Sequence, residues 1–178
     1  MDSSCLRCGK CCTSFGVCIT PFDMARIARA TRKKPEEFVD TVPEPPKRER
    51  TEPAIVIDGG RSLLVLKRDA FNVCYFYSGD ECIVYKSRPM LCRTYPFRVS
   101  SPLFSVQNGK PGTQDSKLET VSSRACPEKW LPKCEEGRKY QRDCKKYEKE
   151  VDTYSRIADE WNSKGGGSLK KFVEFAFQ

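Results

Sequence analysis

The segment CLRCGKCC, residues 5 to 12, places Cys5, Cys8, Cys11 and Cys12 within a single short stretch. A C-x2-C-x2-C spacing lets a tight loop aim several thiolates at one centre, as cluster-binding cysteine runs do. Gly9 gives the backbone freedom to turn inside that loop. If residues 11 and 12 are extended, their side chains point to opposite sides. Two adjacent cysteines would then serve two neighbouring centres more easily than one. A thioredoxin-type reading of Cys5 and Cys8 needs a preceding βαβ unit, for which four residues leave no room.

A second centre needs further ligands, and the chain offers them. Cys74 and Cys82 flank an expected turn, Cys92 follows on an expected short helix, and Cys126 opens the stretch CPEKW. With the first four they make eight cysteines, enough for two four-thiolate sites. Spacing leaves open whether there is one centre or two, and which later cysteine completes each. Cys18, Cys134 and Cys144 read instead as small buried hydrophobes. The total of 11 cysteines is odd, which fits a pure disulfide framework poorly. Histidine is absent from the whole chain. That excludes HExxH hydrolases, histidine triads and a histidine general base. All-cysteine structural zinc and iron–sulfur sites remain. Both accept four thiolates, so spacing alone does not choose iron from zinc.

The elements that must hold these thiols are modest. The chain has 178 residues, of which 38% are hydrophobic and 31% charged. Such a thin core leaves room for metal centres to help hold the fold. No run of 18 apolar residues marks a membrane span. The start lacks the basic and apolar regions of a signal peptide, so a reducing, cytoplasmic setting is expected. The formal net charge is +8 with cysteines counted as neutral. A zinc tetrathiolate or an oxidised four-iron cluster with four thiolates carries about −2, so two sites would lower the balance to about +4. Arg88 or Arg93 is the expected partner for that negative charge. The short basic run PKRER reads as a solvated loop, and nucleic-acid binding is not favoured.

The stretch TPFDMARIARATRK predicts a helix with Thr20 as N-cap, Pro21 at its first position and Asp23 at its positive end. KPEEFVD predicts a second, short helix, and VPEPPKRERTEP an extended loop. AIVIDGGRSLLVLKR reads as a hairpin turning at Asp58-Gly59-Gly60, and VCYFYSGDECIVY as another turning at Ser78-Gly79-Asp80. KSRPMLCRTYPF predicts a short helix capped by Ser87, with Pro89 in its first turn and Pro96 ending it. RVSSPLFSVQN reads as a strand and GKPGTQDSK as a loop. In the last third, Tyr140, Cys144, Tyr147, Val151, Tyr154, Ala158 and Trp161 recur at alternating spacings of four and three. That is one apolar stripe on a long charged helix. SKGGGS breaks it, and LKKFVEFAFQ predicts an amphipathic piece that folds back.

CLRCGKCC, DMARIA and CYFYSGDECIVYKSRPMLCRTYPF together resemble the YkgJ-type cysteine-cluster family, also described as zinc- or iron-chelating CxxCxxCC domains. The resemblance runs from Cys5 to Phe97, with a further match at Cys126-Pro127. It implies that Cys5, Cys8, Cys11, Cys12, Cys74, Cys82, Cys92 and Cys126 bind metal. Flagellin lysine methylases are relatives of that family, so protein lysine N-methylation is an implied alternative. No glycine-rich loop after a strand marks an S-adenosylmethionine pocket, however.

The expected fold is a small α+β domain over residues 1–130, with short hairpins and helices pinned by cysteine-ligated centres. A helical extension over 131–178 packs on it. The expected function is an iron–sulfur protein, with [4Fe-4S] cluster(s) for electron transfer or redox support and an unknown protein redox or substrate partner. A structural zinc module serving a protein partner is the alternative.

Overall fold

The computed structural model describes residues 8–46, 52–95, 97–99, 118–120 and 134–177, with side chains omitted at 97–99, 118–120 and 134–137. It is a small α+β domain of short helices and three small antiparallel sheets, followed by a long helix.

Among the described residues the first element is a single helical turn, α1 (Lys10–Ser14). The next, α2 (Pro21–Thr31), begins where the sequence predicts. Thr20 accepts from the Asp23 amide while Asp23 reaches back to the Thr20 amide, a reciprocal capping box. It ends at Arg32, left-handed with φ 58°, whose N–H closes on the Ala28 carbonyl. Met24 and Ile27, one turn apart, are fully buried. A short α3 (Pro35–Phe38) follows.

Three strands form the main sheet, β1 (Val39–Pro43), β2 (Ile55–Ile57) and β3 (Gly60–Leu66), in the order β1-β3-β2. Strand β1 departs from expectation at both ends: Val39 and Asp40 close the stretch read as the second helix, and its last residues lie in the proline-rich stretch read as loop. Its prolines interfere little: β1 is an edge strand, and Pro43 is its last residue, opposite Ser62. The β2–β3 turn is as expected. Asp58 and Gly59 both have positive φ, 47° and 83°, as a tight hairpin with right-handed twist requires. A second hairpin, β4 (Tyr77–Ser78) and β5 (Glu81–Cys82), turns through Gly79 and Asp80 with φ of 56° and 61°.

The short helix expected directly after Ser87 starts later than that. A 3₁₀ turn covers Tyr85–Ser87, and α4 spans Met90–Thr94. Arg88 precedes a proline and is extended with ψ 152°, so it interrupts the helical path. Ser87 therefore ends the first turn instead of capping the second. A third pair of strands, β6 (Phe97–Val99) and β7 (Leu118–Thr120), is antiparallel. Most of the strand expected at 98–108 and the loop at 109–117 lie outside the described residues.

Helix α5 (Cys134–Ser163) carries the expected stripe, with Tyr140, Cys144, Val151, Tyr154, Ala158 and Trp161 all buried. It also covers the outer edge of β2. Asn162 accepts from the Val56 amide at 2.7 Å and donates to the Ala54 carbonyl at 3.0 Å, and the Trp161 indole donates to the Val56 carbonyl at 2.9 Å. Together with the Gly167 backbone, these side chains satisfy the outer edge of the strand. Helix α6 (Leu169–Ala176), capped by Ser168, returns to set Phe172 edge-on against Trp161. One hydrophobic cluster includes Ile19, Met24, Phe38, Leu64 and Phe76 together with Tyr154, Trp161 and Phe172, so α5 and α6 share a core with the preceding sheet. Among the described residues no helix is long and apolar enough to cross a membrane.

Candidate metal centre

Gly9 sets the geometry of the thiols. It sits left-handed at φ 71° immediately before α1, and its carbonyl accepts from the Cys12 and Thr13 amides at 2.8 and 3.1 Å. Any side chain at this position would meet the Tyr77 phenol at well under 3 Å. The sequence signal for Gly9 was a turn; the packing of Tyr77 against it adds a second reason for glycine.

Because α1 is helical, Cys11 and Cys12 do not diverge as two extended residues would. Successive helical side chains are about 100° apart, and the two sulfurs lie 3.9 Å from each other. The premise for assigning them to separate centres is therefore overturned. Cys12 is also stitched to the second thiol-bearing segment, its carbonyl accepting from the Cys74 amide at 2.9 Å. The Cys74 carbonyl in turn accepts from Tyr77, which pairs with Cys82 across the β4–β5 hairpin. Cys92 comes from α4.

These segments converge on one cavity of about 60 Å³. Cys11, Cys12, Cys74, Cys82 and Cys92 all line it, with Val17, Leu66, Phe76 and Val84 on the core side and Phe15, Arg88 and Tyr95 around the remainder. Phe15 and Tyr95 pack ring against ring at 5.5 Å. Among the described residues, no group of three cysteine or carboxylate side chains is close enough to hold a single metal ion as it stands.

The thiols are not electrically alike. Cys11 is pushed down to about 7, chiefly by its hydrogen bond with Cys12, and Arg88 assists. The same bond pushes Cys12 up, with burial adding to the effect. The two behave as a coupled pair that gives up one proton readily and the second with difficulty. Burial pushes Cys74 up, and Cys92 well up. Loading such a site means expelling protons from buried thiols, a cost that the charge of a bound cation offsets.

Arg88 and Arg93 separate in role. Arg88 borders the cavity, stacks 3.8 Å from the Tyr85 ring centroid and donates to the Tyr85 carbonyl at 2.7 Å. Arg93 instead forms an ion pair with Asp143 of α5 at 3.2 Å. Cys8 is exposed and is not part of the lining. Cys5 and Cys126 lie outside the described residues. Cys18 packs with Ala54, Leu63 and Val65, and Cys144 is buried on the α5 stripe. Cys134 begins α5, and its side chain lies outside those described.

Residues 4–127 match a family model named CxxCxxCC and described as "Putative zinc- or iron-chelating domain". The chain belongs to the CxxCxxCC family. Every cavity cysteine falls within the CxxCxxCC match, whereas α5 and α6 lie beyond it. No curated protein and no solved structure matches the chain. The family's description names chelation of zinc or iron, and five thiols around one cavity are a donor set suited to either metal.

Sequence reasoning missed one feature of this site. Asp23, read only as a helix cap, also accepts from the Met90 amide at 2.8 Å, at the start of the helix that carries Cys92. A T-x-x-D pattern signals the cap; nothing in it signals a contact 67 residues away.

Proposed function

We propose that this protein holds an iron–sulfur cluster, of the [4Fe-4S] type, in the cysteine-lined cavity and uses it for electron transfer or redox support. The observation that carries this reading is the convergence of Cys11, Cys12, Cys74, Cys82 and Cys92 on one space of about 60 Å³. Room for one water takes only about 10–15 Å³, and one tetrahedral ion takes four thiolates. Five thiols around a larger space suit a polynuclear group better. Cys5, Cys8 and Cys126 are further candidate ligands from the same motif.

Bound there, a cluster supplies one-electron transfer to or from a protein partner. The chain's own residues do the remainder. Cys11, depressed to about 7, gives up its proton more readily than an ordinary thiol. Arg88 offers a positive charge at the cavity wall. Phe76, Val84 and Leu66 keep the core side apolar, which limits water access. A thiol-rich site of this kind suits a reducing, cytoplasmic setting.

A structural zinc module is the second reading, and a distance favours it. Zinc–thiolate bonds of about 2.3 Å place tetrahedral sulfurs about 3.8 Å apart. The Cys11 and Cys12 sulfurs are separated by 3.9 Å.

Anaerobic purification followed by iron, zinc and acid-labile sulfide analysis tests the proposal. The expected result is a brown protein with iron and sulfide in near-equal amounts. A colourless protein with stoichiometric zinc and no sulfide overturns the cluster in favour of the zinc module. A protein with neither metal overturns both.

A further inference from the structure

Helix α4 delivers Cys92 to the cavity and is held at both ends by groups anchored on α5. At its start, the Met90 amide donates to Asp23 Oδ1 at 2.8 Å. Asp23 has no exposed surface. Its other oxygen accepts from the Thr20 amide at 3.0 Å and the Thr20 hydroxyl at 3.1 Å. Arg26 pairs with the same Asp23 oxygen that faces Met90, and it also grips Glu150 of α5 through two bonds of 2.6 and 2.9 Å. At the last turn of α4, Arg93 pairs with Asp143 of α5 at 3.2 Å. Cys92 therefore sits between two clamps that both end on α5, seven residues apart on one side of that helix.

We propose that Asp23, Glu150 and Asp143 are positioning residues for the thiol cavity, so that α5, outside the family-matched segment, sets where Cys92 stands and how firmly the site holds its metal. This rests on the reading of the cavity as the metal site only for what it holds; the placement of Cys92 is a separate, measurable property. Asp23 is buried and the bonds to α5 are part-buried, so these charge-assisted contacts lose stability when left half-made. Neutralising either α5 carboxylate therefore loosens the corresponding end of α4. Asp23 additionally caps α2, so its removal disturbs two elements at once. The two α5 carboxylates are the cleaner probes.

The test uses the full-length protein, purified anaerobically, with Glu150→Gln, Asp143→Asn, the double variant and the exposed control Lys149→Gln. Two quantities are read below the melting temperature of every variant. One is the rate at which N-ethylmaleimide labels Cys92, followed by peptide mass spectrometry, with buried Cys18 as internal control. The other is the visible spectrum together with the rate of metal release to a chelator. We expect Cys92 labelling about threefold to tenfold faster in each single variant and faster again in the double. Cys18 and Lys149→Gln should be unchanged, while the spectrum alters and metal release accelerates. Equal acceleration at Cys18 and Cys92 would mean general loosening and overturns the proposal. So would unchanged Cys92 labelling despite a lowered melting temperature. If the wild-type protein carries no metal, the metal-site reading fails, and selective labelling of Cys92 still decides whether α5 positions it.

Discussion

The sulfurs of Cys11 and Cys12 lie 3.9 Å apart on one helical turn and border the same cavity as Cys74, Cys82 and Cys92. Adjacent cysteines are usually awkward partners, because an extended backbone sends their side chains apart. A short helix removes that obstacle. Cys11→Ser and Cys12→Ser should therefore damage one and the same centre. Metal content and visible spectrum should fall in both variants, with no residual second signature. A Cys12→Ser protein that kept half its metal with an intact spectrum would instead require two centres.

The turn that enables this geometry depends on Gly9. Alanine there must occupy the left-handed region at φ 71° and also displace Tyr77. The backbone term alone costs about 1–2 kcal/mol. Gly9→Ala should lower stability by at least that amount in denaturant melts and reduce metal retention. In the Gly9→Ala/Tyr77→Ala pair the steric part is relieved, so the double variant should lose less than the sum of the singles. Strict additivity would show that the Tyr77 contact does not matter.

How much of this was legible beforehand follows from where the information resides. Helix α2 and the two hairpins are local: a T-P-x-D start and Gly-containing turns specify them within a few residues. The α5 stripe is legible because seven positions repeat at helical spacing. Helix α1 was not legible, since five residues carry no periodicity. Strand β1 was obscured by prolines that an edge strand tolerates. The cysteines announced a thiol site by type and spacing, and among the described residues five of the six candidates meet at one cavity. Which arginine faced that cavity was not legible. Arg88 and Arg93 belong to one motif, and only the arrival of Asp143 on α5 draws Arg93 away.

Tyr147 offers a readout of the fold at alkaline pH. Its hydroxyl donates to buried Glu52, and burial pushes its ionisation up, with the Glu52 charge adding to that. The unfolded-state value lies near 10. A raised folded value means that this contribution to stability is complete below about 10 and is lost as pH rises beyond it. Ultraviolet titration of the folded protein should therefore show Tyr147 ionising only with unfolding. Tyr147→Phe should leave the tyrosinate signal of the folded protein unchanged near pH 10. Loss of one tyrosinate equivalent there would mean that Tyr147 titrates normally.

Asn162 separates the stability of the sheet from the integrity of the thiol site. Its side chain bonds the Val56 amide and the Ala54 carbonyl on the outer edge of β2. Ala54 is buried, and water has little access to its carbonyl. Leucine at position 162 fills similar space but leaves both backbone groups without that partner. Each buried group left unsatisfied costs about 1–3 kcal/mol. Asn162→Leu should therefore lower stability by about 2–6 kcal/mol in a denaturant melt. Asn162 touches neither α4 nor the Asp23–Arg26–Glu150 network, so metal content and Cys92 labelling should match wild type well below the transition. A variant equally stable to wild type would show that the edge bonds contribute little. A destabilised variant with altered metal content would show that the β2 edge and the thiol cavity are coupled through the shared core.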